Sequence, residues 1–265
     1  MTEHAQRLLR IERRGHVAIL ENDAAPWNRM TFEYMDELEA AIDDISHDRE
    51  VRAVVITAAG DQHFSVGMDL KQLVAFAGER GGTQAVLDQR LRVLRAIEQL
   101  DKPVIATMFG YCLGGGLELP LACHFRLAAA EGAQIGLPEM HLGTVPAWGG
   151  TARLTRLVGR ARALDLILRA KLIDGPMAER IGLVHEVHPL VELKARAIEL
   201  AEELAGQPPI AVAGVLRAVI DGELLPLDEA LALERDAFLR CSRSADQAEG
   251  MAAFLEKRPP RFTGT

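Results

Sequence analysis

The sequence predicts an α/β fold followed by a purely helical region. Strand-like apolar runs alternate with amphipathic helix-like runs as far as residue 205, and such alternation is typical of parallel strands joined by helices. After Pro208 and Pro209 the strand-like runs stop and only helix-like runs follow. We therefore expect an α/β core over 1–205 and a helical C-terminal region over 206–265, which needs a partner surface for its apolar faces.

The elements follow from the spacing of the apolar residues. The predicted strands are 16–21, 51–57, 103–109, 125–129 and 183–187. The predicted helices of the core are 31–46, 83–100, 117–123, 152–157, 161–169, 177–181 and 190–205. Those of the C-terminal region are 210–220, 227–241 and 245–257, the second of which begins at the start signal formed by Pro226 and Asp228.

The composition excludes several classes of protein. The 265 residues carry a net charge of −8, whereas nucleic acids and anionic membranes are bound through clustered Lys and Arg. No apolar run approaches the ~20 residues that span a bilayer, and residues 1–14 lack the apolar stretch of a secretory signal. We therefore expect a cytoplasmic protein.

The cysteines and histidines indicate neither a disulfide framework nor a metal centre. Cys112, Cys123 and Cys241 are too few and too scattered for either, and no His, Cys or Asp spacing matches a metal site. Three unpaired thiols fit a reducing compartment.

The most informative segment, residues 110–118, reads G-Y-C-L-G-G-G-L-E. It follows a buried-strand pattern, and its glycines open an apolar helix. Only glycine lets a backbone approach a ligand without an intervening Cβ, and the first N–H groups of a helix have no internal partner. The segment therefore predicts free N–H donors for a negative oxygen, with the carboxylate of Glu118 one turn further on.

A second segment, residues 63–70, has the same strand-then-glycine character, with the sequence H-F-S-V-G-M-D-L. Two such turns can aim two N–H groups at one oxygen. His63 and His141 are expected to be structural or surface residues, and Ser65 lacks a recognisable base partner for a nucleophile. Taken alone, Glu118 is a helix-dipole acid and Glu139 a solvated turn acid.

Together these segments resemble the crotonase superfamily, the enoyl-CoA hydratase/isomerase family, over nearly the whole chain. Asn22 and Asn28 are spaced like two asparagines of the family. The other matching segments, in the family's order, are G-D-Q-H-F-S-V-G-M-D-L-K, D-K-P-V-I-A, G-Y-C-L-G-G-G-L-E-L, G-L-P-E, L-G-T-V-P, G-G-T-A-R-L-T-R-L-V-G and E-G-M-A-A-F-L-E-K-R-P-P-R-F. The resemblance implies a crotonase-like spiral of ββα units and a helical C-terminal region that forms trimers, often paired into hexamers.

The resemblance also implies an activity, the reversible hydration of a trans-2-enoyl-CoA to the 3-hydroxyacyl-CoA. The N–H groups of Met68 and Gly115 would hold the thioester oxygen, and Glu118 and Glu139 would handle water and protons. The CoA thioester is the substrate, with no separate cofactor or metal. Positions expected to contact CoA are Trp27, Val66, Met68, Asp69, Leu70, Lys71, Gly114, Phe254 and Lys257. Asp69 alternatively only fixes its loop.

Three alternatives stay open at this point. An enoyl-CoA isomerase, or another crotonase-fold enzyme with an enolate intermediate, would use one glutamate as a proton shuttle; keeping both glutamates favours hydration. A non-catalytic, RNA-binding member would need a row of lysines, whereas the first helix carries acids at positions such as Glu33 and Asp36. Trp148, where the family usually has a small residue, either fills space meant for the acyl chain or turns outward into a subunit contact.

Overall fold

A computed structural model describes residues 7–265. The expectation for residues 1–14 therefore lies partly outside the described residues. The first half of the described chain consists of β1 (Leu9–Arg14), β2 (Val17–Asn22), α1 (Phe32–His47), β3 (Ala53–Ala58), α2 (Leu70–Phe76), α3 (Gly82–Glu98), β4 (Val104–Met108), β5 (Tyr111–Leu113), α4 (Gly115–Leu121) and β6 (Phe125–Ala129). The second half consists of β7 (Gln134–Gly136), α5 (Gly150–Val158), α6 (Arg160–Leu168), α7 (Gly175–Arg180), β8 (Glu186–His188), α8 (Leu190–Ala205), α9 (Pro209–Gly222), α10 (Leu227–Cys241) and α11 (Ala245–Glu256).

The strands form a main sheet and a small sheet. The main sheet has the order β1–β2–β3–β4–β6–β8, in which β1 is antiparallel to β2 and all other neighbours are parallel. The small sheet pairs β5 with β7 in parallel. Every residue of β2, β3 and β4 is buried, as expected for parallel strands covered on both faces.

Successive chain segments repeat one ββα pattern. β4 of the main sheet is followed by β5 of the small sheet and then by α4; β6 is followed by β7 and, after a 3-10 turn at Glu139–Leu142, by α5. The segment after β3 adds a single bridge, Ser65 to Cys112, beside the small sheet before α2 begins. Each repeat therefore places a loop and the start of a helix at the same end of the small sheet.

The C-terminal helices bury few of their residues. α9 and α10 pack on each other, and neither contains a buried residue. An ion pair between Arg217 and Asp101 (3.1 Å) joins α9 to the core. Large apolar side chains stay exposed on these helices, namely Val215, Val219, Leu227, Leu231, Phe238, Met251, Phe254 and Leu255. Within residues 7–265, no helix has the length and apolar character needed to cross a membrane.

The fold agrees with the predicted α/β class, and 125–129, 190–205 and 227–241 match β6, α8 and α10 at both ends. The strand predicted at 183–187 is wrong at its start, because residues 183 and 184 lie in the turn after α7 and β8 begins only at Glu186. The charged edge strand β1, the helix α2 and the three-residue strands of the small sheet were not predicted. The boundary between 205 and 206 remains a prediction about domains.

Candidate active site

Two glycine-containing loops meet beside the small sheet. Ser65 of the first loop and Cys112 of β5 form a parallel bridge. The N–H of Ser65 donates to the carbonyl of Tyr111 (3.0 Å), and the N–H of Leu113 donates to the carbonyl of Ser65 (3.1 Å). These hydrogen bonds bring residues 65–69 alongside residues 113–116.

The approach is close enough to require glycine. Gly67 has φ +87°, and a Cβ placed on it would lie 2.7 Å from the carbonyl oxygen of Leu113 and 3.3 Å from the nitrogen of Gly115. A side chain at Gly116 would collide with the carbonyl of Ser65. Bare backbone on both sides therefore fixes the distance between the two loops.

The predicted N–H donors, those of Met68 and Gly115, are both free at this junction. Neither donates to a protein acceptor within residues 7–265. The loop of Met68 is held by other bonds, since the carbonyl of Gly67 accepts from the N–H of Met30 (2.9 Å). Gly115 is the first residue of α4, so its N–H has no intrahelical partner. Both groups are available to an oxygen placed between the loops.

Glu118 lies in the first turn of α4 and is 2 % exposed. Its Oε1 accepts hydrogen bonds from the N–H groups of Trp148 (2.7 Å) and Gly150 (2.8 Å). Burial raises the pKa of Glu118 to about 7, although these two donors lower it; the nearby charge of Glu139 raises it further. The side chain is thus held in place and titrates near neutral pH.

Glu139 begins the 3-10 turn that follows β7. Its Oε1 lies so close to the backbone of Gly114 that a Cβ there would be 2.7 Å away. Its Oε2 is buried and has no hydrogen-bond partner within residues 7–265. Burial raises the pKa of this carboxyl as well. Glu139 is therefore a half-buried acid with one buried oxygen that has no hydrogen-bond partner among the described residues.

One cavity of about 280 Å³ contains both glutamates. Met68 and Gly115 also line it, so the free N–H groups and the two carboxyls share one space. Its other walls are mostly apolar, formed by Val66, Gly67, Leu70, Leu73, Thr83, Val86, Leu87, Gly114, Pro138, Leu142, Thr144, Val145, Ala147 and Trp148. An apolar cavity with a few converging polar groups is typical of a small-molecule site.

Trp148 turns inward. It is 4 % exposed, lines the cavity, and packs its ring against Gly115, where a Cβ would collide with it. The guanidinium carbon of Arg90 lies over the ring, 5.8 Å from its centroid. Of the two alternatives for Trp148, the structure has the one in which the indole takes up cavity space.

The positions predicted to contact CoA divide into three groups. Val66, Leu70 and Gly114 line the cavity with Met68. The side chain of Asp69 caps α2, because its Oδ1 accepts from the N–H groups of Lys71 (3.0 Å) and Gln72 (3.1 Å). The remaining positions lie outside the cavity of this chain, namely Trp27, Lys71, Phe254 and Lys257.

The less specific side chains have the structural roles that were expected. The ring of His63 stacks between Trp27 and Tyr111, and its Nδ1 accepts from the N–H of Tyr111 (3.1 Å). The hydroxyl of Ser65 accepts from the N–H of Gly67 (3.0 Å). No group of three or more potential metal ligands was found within residues 7–265.

The sequence identified Trp148 and its turn at residues 146–150 as candidates for the site, but it did not predict that the backbone of this turn holds Glu118 or that Arg90 lies beside Trp148. Arg90 is 1 % exposed, and burial lowers its pKa to about 10. The turn matters through its backbone, since it supplies both donors to Glu118. The sequence signalled this turn only through Trp148, which stands where the family usually has a small residue. Nearly every residue type has a backbone N–H, so the role of these donors cannot be predicted from the residues.

Comparisons with known proteins agree with this geometry. The profile of the enoyl-CoA hydratase/isomerase family matches residues 14–265. The chain is 38 % identical to the short-chain-enoyl-CoA hydratase of Clostridium acetobutylicum, over 94 % of each chain. It is 36 % identical to the crotonyl-CoA hydratase of Syntrophomonas wolfei, over 95 % of this chain and 96 % of that protein. A crystal structure of enoyl-CoA hydratase from Bacillus anthracis superposes with a TM-score of 0.91 at 34 % identity, over 97 % of this chain and 100 % of the other.

The raised pKa of Glu118 predicts a pH-dependent stability. Above its ordinary pKa of 4.5 the unfolded chain loses this proton, while the folded chain keeps it up to about pH 7. Folding stability should therefore fall as pH rises through this window, by about 3 kcal/mol in total, and stay level above it. Glu118→Gln removes the titration and keeps an oxygen acceptor for the two N–H groups. Urea unfolding should show the variant gaining about 3 kcal/mol over the wild type between about pH 4 and about pH 8.

The control for this experiment is Glu192→Gln, an exposed acid on α8 outside the cavity. Because Glu118 is unchanged in this variant, it should keep the wild-type fall in stability between about pH 4 and about pH 8. A pH-independent difference between Glu118→Gln and the wild type would contradict the raised pKa.

Proposed function

The chain belongs to the enoyl-CoA hydratase/isomerase family, and we propose that it adds water reversibly across the 2,3-double bond of a trans-2-enoyl-CoA to give the 3-hydroxyacyl-CoA. The observation that carries this function is that Glu118 and Glu139 line one cavity together with two free backbone N–H groups. A hydro-lyase needs both parts: a carboxyl pair for water and protons, and donors for a thioester oxygen that gains charge.

The thioester oxygen binds between the N–H groups of Met68 and Gly115. As oxygen adds to C3, electron density moves from the double bond through C2 to the thioester carbonyl. Donors fixed in advance stabilise the resulting enolate, and losing one such donor typically costs ~10²–10³ in rate. The close approach of the two loops at Gly67 and Gly116 holds these donors beside each other.

The two carboxyls exchange protons with the bound water and with C2. One glutamate takes a proton as the water oxygen bonds to C3, and the other delivers a proton to C2, so the pair ends with as many protons as it began. Burial raises the pKa of both carboxyls, and the nearby charge of Glu139 raises that of Glu118 further, to about 7. Glu118 can therefore take up or release a proton near neutral pH, which suits this exchange. An isomerase would need only one of the two carboxyls, and the presence of both supports hydration.

The CoA portion is part of the substrate, and the reaction as written uses no separate cofactor. Val66 and Leu70 are cavity-lining contacts for the part nearest the thioester, and Lys71 offers an exposed cation beyond them. Phe254 and Lys257 are exposed and do not line this chain's cavity, so we assign them to the CoA site of a neighbouring copy. A cytoplasmic location remains a prediction.

Replacing either glutamate by glutamine tests the carboxyl pair. Glu118→Gln and Glu139→Gln should each lower kcat by ~10²-fold or more, because each removes one proton-transfer group. CoA affinity, measured by calorimetry, should stay near the wild-type value. Hydration is followed by the loss of enoyl absorbance, with Glu192→Gln as the control that keeps full activity. Near-normal hydration by either variant would remove that residue from the mechanism.

The oxyanion assignment predicts a contact in a complex. In a crystal structure with a bound 3-hydroxyacyl-CoA, the thioester oxygen should lie ~2.7–3.2 Å from both Met68 N and Gly115 N. An oxygen that is paired with other donors would overturn the assignment and leave the carboxyl pair to be judged separately.

The position of Trp148 predicts a preference for short or compact acyl groups. The indole closes part of a cavity of only about 280 Å³. Trp148→Ala should shift the ratio of kcat/KM values toward longer chains by ~10-fold or more, whereas Trp148→Phe, which keeps a ring, should shift it less. A panel of enoyl-CoA thioesters of increasing length measures this. If the alanine variant keeps the wild-type ranking of chain lengths, Trp148 does not limit acyl size.

The exposed apolar side chains of α9–α11 support a trimer or a dimer of trimers. Phe254 is 83 % exposed and Leu255 78 % exposed, and contiguous apolar surface of this kind marks a protein–protein contact. Light scattering at micromolar concentration should give the mass of three or six chains. A stable monomer would refute the assembly and also the assignment of Phe254 to a neighbour's CoA site.

A further inference from the structure

The turn that supplies both donors to Glu118 also accepts a hydrogen bond from an arginine. Arg153, in the first turn of α5, donates from Nη1 to the carbonyl of Trp148 (3.0 Å). The Trp148 peptide groups therefore face two partners, with the N–H directed to Glu118 and the carbonyl to Arg153.

Arg153 is itself fixed by Glu98 at the end of α3. Its Nε donates to Oε1 of Glu98 (3.0 Å) and its Nη2 to Oε2 (3.2 Å). The two side chains are 11 % and 16 % exposed, so solvent screens this ion pair only weakly. Burial raises the pKa of Glu98, but the hydrogen bonds from Arg153 and Arg95 outweigh that effect and lower it. The acceptor thus stays ionised and the guanidinium keeps its orientation.

The backbone between the two partners fits the guanidinium closely. Gly149 has φ +102°, and a Cβ placed there would collide with the guanidinium of Arg153. Arg153 therefore lies directly on the bare turn that leads from Trp148 to Gly150. A lysine could not make the two-pronged bond to Glu98 and reach the carbonyl as well, because its ammonium is a single point.

The charged groups around Glu118 can be assigned to their elements. Glu139, from the 3-10 turn after β7, opposes its ionisation, and Arg153, from α5, favours it. Glu98, from α3, faces Glu118 only through Arg153. Arg126, on β6, is occupied at the other end of α4, where it donates to the carbonyls of Pro120 and Cys123.

We propose that Arg153 is a positioning residue, which is anchored by Glu98 and, through the Trp148 carbonyl, keeps two backbone donors on Glu118 so that this carboxyl is oriented for proton transfer. The inference deepens the proposed hydration and rests on it only for the role of Glu118. Loss of Arg153 acts in two ways with the same sign: the nearby cation disappears, and the Trp148 and Gly150 donors loosen. Both effects make the carboxyl harder to ionise.

The test uses Trp148 as an internal probe. The chain has two tryptophans, so Trp27→Phe leaves Trp148 as the only one, with its N–H bonded to Glu118. A pH titration of fluorescence in this background should show a midpoint near pH 7 that Glu118→Gln abolishes. Adding Arg153→Gln should move the midpoint upward by about 0.5 to 1 pH unit. Arg153→Lys should move it upward by less, because the charge is retained.

The matched control is Arg95→Gln. Arg95 also donates to Oε2 of Glu98 (2.8 Å) but does not touch the turn, so its loss should leave the midpoint unchanged. In the otherwise wild-type enzyme, Arg153→Gln should also lower kcat about tenfold or more with little change in KM. If Arg153→Gln does not fold, Arg153→Lys and Glu98→Gln replace it in the test. Each should move the fluorescence midpoint upward by less than the shift expected for Arg153→Gln.

The outcomes separate this inference from the proposed reaction. A midpoint that does not move in the Arg153 variants, or that moves equally in Arg95→Gln, overturns the positioning role even if the wild type hydrates enoyl-CoA. A wild type that fails to hydrate any enoyl-CoA overturns the proposed function, whereas the fluorescence midpoint still decides whether Arg153 acts on Glu118.

Discussion

The contact of bare backbone with bare backbone at Gly67, Gly115 and Gly116 sets the geometry of the site. Any Cβ at Gly67 would fall within 2.7 Å of the Leu113 carbonyl, so the two loops cannot move apart or together without losing the bridge at Ser65. The same contact leaves the N–H groups of Met68 and Gly115 without protein partners. Both donors line the cavity, where an oxygen of a bound molecule can accept from them.

The two carboxyls differ in their burial and in their hydrogen bonds. Glu118 is almost fully enclosed but receives two backbone N–H groups on one oxygen, whereas Glu139 is half-buried. These backbone N–H groups hold the carboxyl of Glu118 in place, whereas the Oε2 of Glu139 has no hydrogen-bond partner within residues 7–265. An asymmetric pair of this kind keeps one carboxyl fixed in direction and leaves the other free to bond a water or a substrate.

The sequence predicted what depends on periodicity and on residue type. Long apolar or amphipathic runs predicted β6, α8 and α10 at their observed ends, and the glycine segments together with the glutamates include the N–H groups and carboxyls that line the cavity. The sequence did not predict the strands whose residues lack the apolar or alternating pattern that is usual for a strand. β1 carries mostly charges, because an edge strand can expose them, and β5 and β7 are too short to show a period. The contacts of Arg90 and Arg153 were not predicted, because Arg90 lies by Trp148 and Arg153 bonds to Glu98, and both partners are distant in the sequence. The apolar faces of α9–α11 were predicted, and their large side chains are exposed in this chain.

Trp148 contributes to the site through both its side chain and its backbone, and only the side chain can be predicted from the residue type. Its ring bounds the acyl space, its N–H bonds to Glu118 and its carbonyl to Arg153. The ring depends on which amino acid stands at this position, whereas the two backbone contacts do not. A substitution can therefore change the size of the cavity while the turn continues to hold Glu118. In a fold where one short turn serves both purposes, acyl specificity can vary with a single side chain and the proton chemistry can persist, because the two are encoded in different atoms of the same residue.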